Sequence, residues 1–199
     1  MDKKPYETIL IDQDGVLAAF ATFNRIITNE WMRETHGVGA IQISQEYLIE
    51  NARYDMEKHW ELTQESWWGI ICASKNFWVN IPMFPWVPQL LDRLRMFCNE
   101  LIVSTNPGTE DLSSPSQKSR WLHNRRSLLH VQPDDIMIGA KKYLLANPKT
   151  LLIDDSLRNV DSFINSGGSA VCVPSDWNSK THGLAEVWDA ITKDTKILV

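Results

Sequence analysis

The sequence predicts an α/β protein: a Rossmann-like, doubly wound parallel sheet with a small α-helical cap inserted after the first strand. Three observations carry that prediction. Short continuous apolar runs at Thr8–Ile11, Leu101–Val103, Leu151–Ile153 and Ala170–Val173 have the length and content of strands buried on both faces. Segments with helical spacing separate the later runs, as βαβ units require. The stretch from about Ala18 to Pro85 breaks that alternation, because only helical patterns occur in it.

Taken in order, the first strand leads into ILIDQDGVLAAF, residues 9–20. Apolar Ile9, Leu10 and Ile11 give way to Asp12 and Asp14, and Gly15 marks a sharp turn. Charges at the end of a buried strand are costly unless something pairs them. Helices are expected over Ala21–Thr35, Ser44–Asn51 and Met56 to about Ala73, and the proline-rich IPMFPWVP closes the insert. The expected division is a core of 1–17 and 86–199 and a helical cap of 18–85. Trp60, Trp67, Trp68 and Trp78 fall inside the cap and suit its packed core better than a base-stacking platform.

Beyond the insert, Trp86–Asn99 carries Leu90, Leu91, Leu94 and Phe97 at helical spacing. Gln117–Leu129 is a second helix, and Ile136–Ile138 is a weaker strand. Leu157–Ser166 is a third helix, stopped by Gly167-Gly168, and Leu184–Ile191 is a fourth.

The totals bound the function. The chain has 199 residues, 43% of them apolar, enough for a real core. A net charge of −5 argues against a basic nucleic-acid-binding surface, so no stable nucleic-acid partner is expected. Cys72, Cys98 and Cys172 form neither a CxxC motif nor a disulfide framework. That pattern, with no leader-like apolar segment in MDKKPYETILID and no run of membrane length, leads us to expect a cytoplasmic protein without a membrane partner. His36, His59, His123, His130 and His182 show no metal-ligand spacing.

Ligands of open α/β sheets bind outside the carboxyl ends of the strands. Those ends carry Asp12 and Asp14; Ser104, Thr105 and Asn106; Lys141 and Lys142; and Asp154 and Asp155. Carboxylates packed together either trap protons or hold a cation. Mg²⁺ takes a few carboxylates, waters and substrate phosphate. An aspartate can attack phosphorus, a second can move the proton, and a lysine and hydroxyls can hold the phosphoryl oxygens. The set suits metal-assisted phosphoryl transfer.

DQDGVL, VSTN, KKYLL and LLIDDS, in that order, resemble the four motifs of the haloacid-dehalogenase-like phosphohydrolases. Within them, DQDGVLAAF, STNP and the ASKNFW of Ala73–Trp78 are similar to segments of the 5′(3′)-deoxyribonucleotidase family. The resemblance implies a haloacid-dehalogenase-like core, a Mg²⁺ cofactor and a small phosphorylated substrate, a nucleoside monophosphate. It implies that Asp12 is nucleophile and metal ligand, and that Asp14 is the general acid/base with its carbonyl on the metal. Asp154 would be the third ligand, with Asp155 beside it. Ser104, Thr105 and Lys142 would bind phosphate, with Lys141 the alternative lysine, and Phe20 and Asn76 would line the substrate pocket.

Ile41–Tyr47 lacks the aromatic pair of the family's cap, so a phosphatase of another metabolite or of a nucleic-acid 3′-phosphate is the alternative. A non-catalytic phosphate- or partner-binding module is the alternative of another class. Lys118, Arg120, Arg125 and Arg126 are expected to form a solvated helix face, and Ser156 to cap the helix after Asp154-Asp155.

Overall fold

A computed structural model describes residues 4–108, 110–179 and 183–195; His182 lies outside them. Five strands, β1 (Tyr6–Ile11), β2 (Cys98–Thr105), β3 (Ile136–Ile138), β4 (Thr150–Asp154) and β5 (Ser169–Cys172), form one sheet in the order β3-β2-β1-β4-β5. Every pairing is parallel. The expected α/β class is the one observed.

Register decides where the chemistry sits. Ile11 of β1 pairs with Val103 of β2 and with Ile153 of β4. The residues that follow, Asp12, Ser104 and Asp154, therefore leave three neighbouring strands at one level and one edge of the sheet.

Between β1 and β2 lie α1 (Phe20–His36), α2 (Gln45–Glu50), α3 (Gln64–Ala73), α4 (Phe77–Asn80) and α5 (Val87–Arg95). The segment that holds α1 to α4 begins and ends at one place. Ala18 bridges Met83 antiparallel, Ala19 N–H donates to Pro82 O at 2.8 Å, and Phe84 N–H donates to Leu17 O at 3.0 Å. After β2 come α6 (Ser114–Leu129), α7 (Leu157–Asn165) and α8 (Leu184–Asp194).

Several boundaries differ from expectation. The helix expected over Trp86–Asn99 stops at Arg95, and Cys98 instead pairs with Tyr6 in the sheet. Phe97 keeps helical spacing, but strand pairing overrides it. The helix expected from Met56 to Ala73 is two pieces, a 3₁₀ helix Met56–Trp60 and α3. Glu61 breaks it in a left-handed conformation (φ 57°), and Thr63 restarts it by accepting Ser66 N–H at 3.2 Å. Helix α6 begins three residues early, at Ser114, because Pro115 suits a first helical turn.

One cluster of buried apolar side chains runs from Ile9 and Ile11 of the sheet through Phe20 and Trp60 to Leu90 and Leu94. Trp60, Trp67 and Trp78 are buried in it. Their indole N–H groups donate to Asn29 Oδ1, Asn24 Oδ1 and Asp111 Oδ2 at 2.8, 3.0 and 2.8 Å. These three tryptophans of the insert are core, each with its polar atom satisfied.

Candidate active site

The turn after β1 builds the centre of the site. Leu17 and Ala18 N–H both donate to Gln13 O, at 2.9 and 2.7 Å, closing the backbone on itself. Gly15 sits in that turn at φ +79°. A Cβ there would lie 1.6 Å from Asp155 Oδ2 and 3.3 Å from Trp177 Cζ2, so only glycine allows the closing turn to lie against Asp155.

Asp12, Asp154 and Asp155 are buried and each places a carboxylate oxygen within 4.8 Å of the others. Lys142, from the 3₁₀ turn Lys142–Leu145 after β3, is 3% exposed. Its Nζ donates to Asp12 Oδ1 at 2.6 Å and to Asp154 Oδ2 at 2.7 Å. Lys141 is exposed. Of the two lysines, the structure brings Lys142 into the cluster.

Asp14 lies on the other side of the turn. Lys118 of α6 donates to Asp14 Oδ2 at 2.5 Å, to Asn106 O at 2.6 Å and to Thr105 Oγ1 at 3.3 Å. Its ammonium also stands 4.4 Å from the centre of the Trp78 ring. Lys118 is 2% exposed, so the expected solvated face is corrected at this residue. The surrounding carbonyl, hydroxyl and carboxylate oxygens satisfy a buried ammonium, which water would otherwise have to do.

Asp154 is held from behind. Its Oδ1 accepts Ser156 N–H at 2.9 Å, and Asn159 Nδ2 donates to both carboxylate oxygens at 3.1 and 3.0 Å. Ser156 occupies the N-cap position of α7 without a side-chain capping bond. The expected serine cap is therefore corrected: Asn159 and Val160 N–H donate to the Ser156 backbone carbonyl at 3.0 Å each, and Ser156's own N–H is the one given to Asp154. Asn159 went unnoticed in the sequence, and its signal was a polar amide in the first turn of the helix after an acid pair. In the sequence Lys118 reads as surface charge because it sits among Arg120, Arg125 and Arg126.

The electrostatics follow from four carboxylates around two ammonium groups. Burial, with the charges of Asp154 and Asp14, pushes Asp12 up to about 7 against the pull of Lys142. Burial and the charges of Asp12 and Asp154 hold Asp155 well above the usual carboxylate range. The same carboxylates raise Lys142 despite its burial, so it stays charged. Asp155 Oδ2, Asp14 Oδ1 and Ser104 Oγ are buried without a partner. Orphaned oxygens in a surplus of negative charge fit a hard divalent cation and a phosphoryl group.

The two expected pocket residues fall differently. Phe20, 5% exposed, packs against Trp177 at 5.5 Å between ring centres, and Trp177 lies against Gly15. Asn76 is exposed at the start of α4 in a left-handed conformation (φ 58°), and among the described residues no contact links it to the carboxylates.

No protein-family model matches the chain, and no curated protein matches it. Solved structures do. The fold is that of the haloacid-dehalogenase-like hydrolases. A haloacid-dehalogenase-like hydrolase from Streptococcus pneumoniae is 14% identical with a TM-score of 0.54, over 94% of this chain and 91% of that one. One from Deinococcus radiodurans R1, with bound phosphate and sodium, is 14% identical with a TM-score of 0.55, over 94% and 89%. A predicted phosphatase from Clostridium acetobutylicum is 14% identical with a TM-score of 0.57, over 93% and 90%. At these identities the likeness is one of fold.

Proposed function

We propose that this chain is a Mg²⁺-dependent phosphomonoester hydrolase that works through an aspartyl-phosphate, with nucleoside 5′-monophosphates as its substrates. The observation that carries the proposal is the cluster itself. Asp12, Asp154 and Asp155 converge within 4.8 Å, with Lys142 bridging the first two and Ser104 Oγ free beside them. The phosphate bound in the fold neighbour from Deinococcus radiodurans R1 supports a phosphoryl ligand here too.

Asp12 and Asp154, with the Asp14 carbonyl, would hold the ion, and Asp155 would support them. Bound Mg²⁺ would supply charge neutralisation at the phosphoryl oxygens. The chain's own residues do the rest. An oxygen of the Asp12 carboxylate attacks phosphorus and the bond from phosphorus to the ester oxygen breaks. Asp14 gives its proton to the departing alkoxide. Asp14 then takes a proton from water as the water oxygen attacks phosphorus, and Asp12 leaves as a carboxylate with inorganic phosphate released. Lys142, Ser104 and Thr105 hold the phosphoryl oxygens, and Lys118 orients Asp14.

We assign residues 18–85 to a cap that shields this chemistry from water and selects the alcohol. The paired exit and return of the chain at Ala18 and Met83 support that boundary. Three unpaired cysteines fit work in the cytoplasm, and no described helix is long and apolar enough to cross a membrane.

The test is phosphate release from a panel of nucleoside 5′- and 3′-monophosphates and generic phosphomonoesters, with Mg²⁺ and with EDTA. The proposal expects Mg²⁺-dependent release, greatest on the 5′-monophosphates. Release confined to generic esters would remove the nucleotidase assignment. No release at all would leave a phosphate- or partner-binding module.

A further inference from the structure

The two faces of the sheet are covered unequally. Ile9, Val103 and Ile153 face the side where Leu91 of α5, Trp121 of α6 and Ile191 of α8 join them in one core. Leu10 and Leu152 face the other side, where Phe163 of α7 is the buried side chain set against them. Ile102 and Ala170 are only partly buried there. Parallel sheets normally carry cover on both faces. The connection from β3 to β4, where a crossover helix is usual, is residues 139–149 with a single 3₁₀ turn, Lys142–Leu145.

What stands over that thin side is apolar and exposed. Leu144 of the turn is 70% exposed, and Leu157 and Ile164 of α7 are 64% and 48% exposed. Tyr143 and Leu145 are open beside Leu144. The turn runs along α7. At one end Lys142 Nζ reaches Asp154, just before the helix. At the other, a Cβ on Gly168 would lie 2.2 Å from Phe163 Cε1 and 3.1 Å from Ala146 Cβ. The five side chains therefore form one patch on the outer side of two packed elements. A contiguous apolar patch of this kind marks an interaction surface.

The charges on the patch say what covers it. Leu157 and Ile164 are two helical turns apart and share one side of α7. Arg158 and Asp161 are exposed beside them, and neither makes an ion pair among the described residues. One charge of each sign, a turn apart, is complementary to its own image on a helix running the opposite way. A two-fold axis across α7 supplies that image. It sets Leu157 beside the partner's Ile164 and Arg158 beside the partner's Asp161, and repeats both contacts by symmetry.

We propose that this face is the interface of a homodimer, in which the α7 helices of two copies pack antiparallel and Arg158–Asp161 pairs flank Leu157 and Ile164. The assembly does not depend on what the chain hydrolyses. The turn that carries Lys142 lies in the interface, so the second copy closes the outer side of the element that brings this lysine to Asp12 and Asp154.

The experiment is sedimentation velocity of the full chain across a concentration series, with far-UV circular dichroism to show that each variant is folded. Wild type is compared with the Leu144→Glu, Ile164→Glu double variant, with Arg158→Asp, with Asp161→Arg, and with the two charge reversals combined. Wild type is expected to sediment as a dimer and the double glutamate variant as a monomer. Each single reversal sets like charges together twice and should weaken the dimer at least about tenfold. The combined reversal should bring the affinity back towards that of wild type. The charge series reads the same interface if the glutamates disturb folding. A monomeric wild type overturns the proposal and leaves the patch to a different partner. A dimer that persists in the folded glutamate variant places the contact elsewhere and overturns it too. So does a combined reversal that binds no better than the single ones.

Discussion

Lys118 Nζ stands 2.5 Å from Asp14 Oδ2 and is closed in by Thr105, Asn106 and the Trp78 ring. A lysine on α6 thus fixes a carboxylate carried by the turn after β1, and a tryptophan of the insert packs over the ammonium. Lys118→Ala should lower kcat on the order of 10²-fold, and Lys118→Arg should recover part of it. Steady-state kinetics on one phosphomonoester would decide; equal kcat in the alanine variant and wild type would remove Lys118 from the site.

Lys142 has a different part, because it neutralises two buried carboxylates at once. Lys142→Met leaves Asp12 and Asp154 uncompensated, at a cost of about 3–5 kcal/mol. In metal-free protein the melting temperature should fall by roughly 10 °C. Added Mg²⁺ should restore part of that loss by supplying charge in place of the lysine. A variant as stable as wild type in EDTA would contradict the burial of this pair.

Gly15→Ala tests the contact between the first turn and Asp155. The backbone at φ +79° strains any side chain there, at about 1–3 kcal/mol. The new Cβ would also displace the Asp155 carboxylate, which lies 1.6 Å from its position. Both melting temperature and turnover should drop. If turnover is retained at wild-type level, the turn does not pack on Asp155 as described.

Asp12 gives a pH dependence to the metal-free protein. Its folded-state value is pushed up to about 7, above the ordinary aspartate value of about 3.9. The folded state therefore binds that proton more tightly than the unfolded chain does. The stability this contributes is complete below about pH 4 and is lost as pH rises towards 7. Melting temperature in EDTA should fall across that window, and Asp12→Asn, which cannot titrate, should flatten the fall. An identical slope in the variant would count against the raised value.

The sheet and the four acid-, hydroxyl- and lysine-bearing strand ends were legible because buried parallel strands are short apolar runs, and polar residues just beyond them stand out. Lys142 stands ahead of Lys141 in the sequence only through the family resemblance, because the burial that separates them is not visible in adjacent identical residues. Lys118 and Asn159 were not legible. Each lies on a helix and reaches the site through tertiary packing, so no spacing relative to Asp12 or Asp154 marks it. The break at Glu61 was hidden for another reason: Thr63 caps a new helix inside a run that keeps helical spacing.

The central claim is that Asp12 carries the phosphoryl group during turnover. The direct measurement is mass spectrometry of the acid-quenched Asp14→Asn variant after brief mixing with Mg²⁺ and 4-nitrophenyl phosphate, whose phenolate leaves without the proton that Asp14 gives. Without the carboxylate that activates water, the intermediate should accumulate, and the peptide containing Asp12 should carry one phosphoryl group. Asp12→Asn, treated in the same way, should carry none. Wild-type phosphate release with no phosphoryl group on Asp12 in the trapped variant would contradict the account.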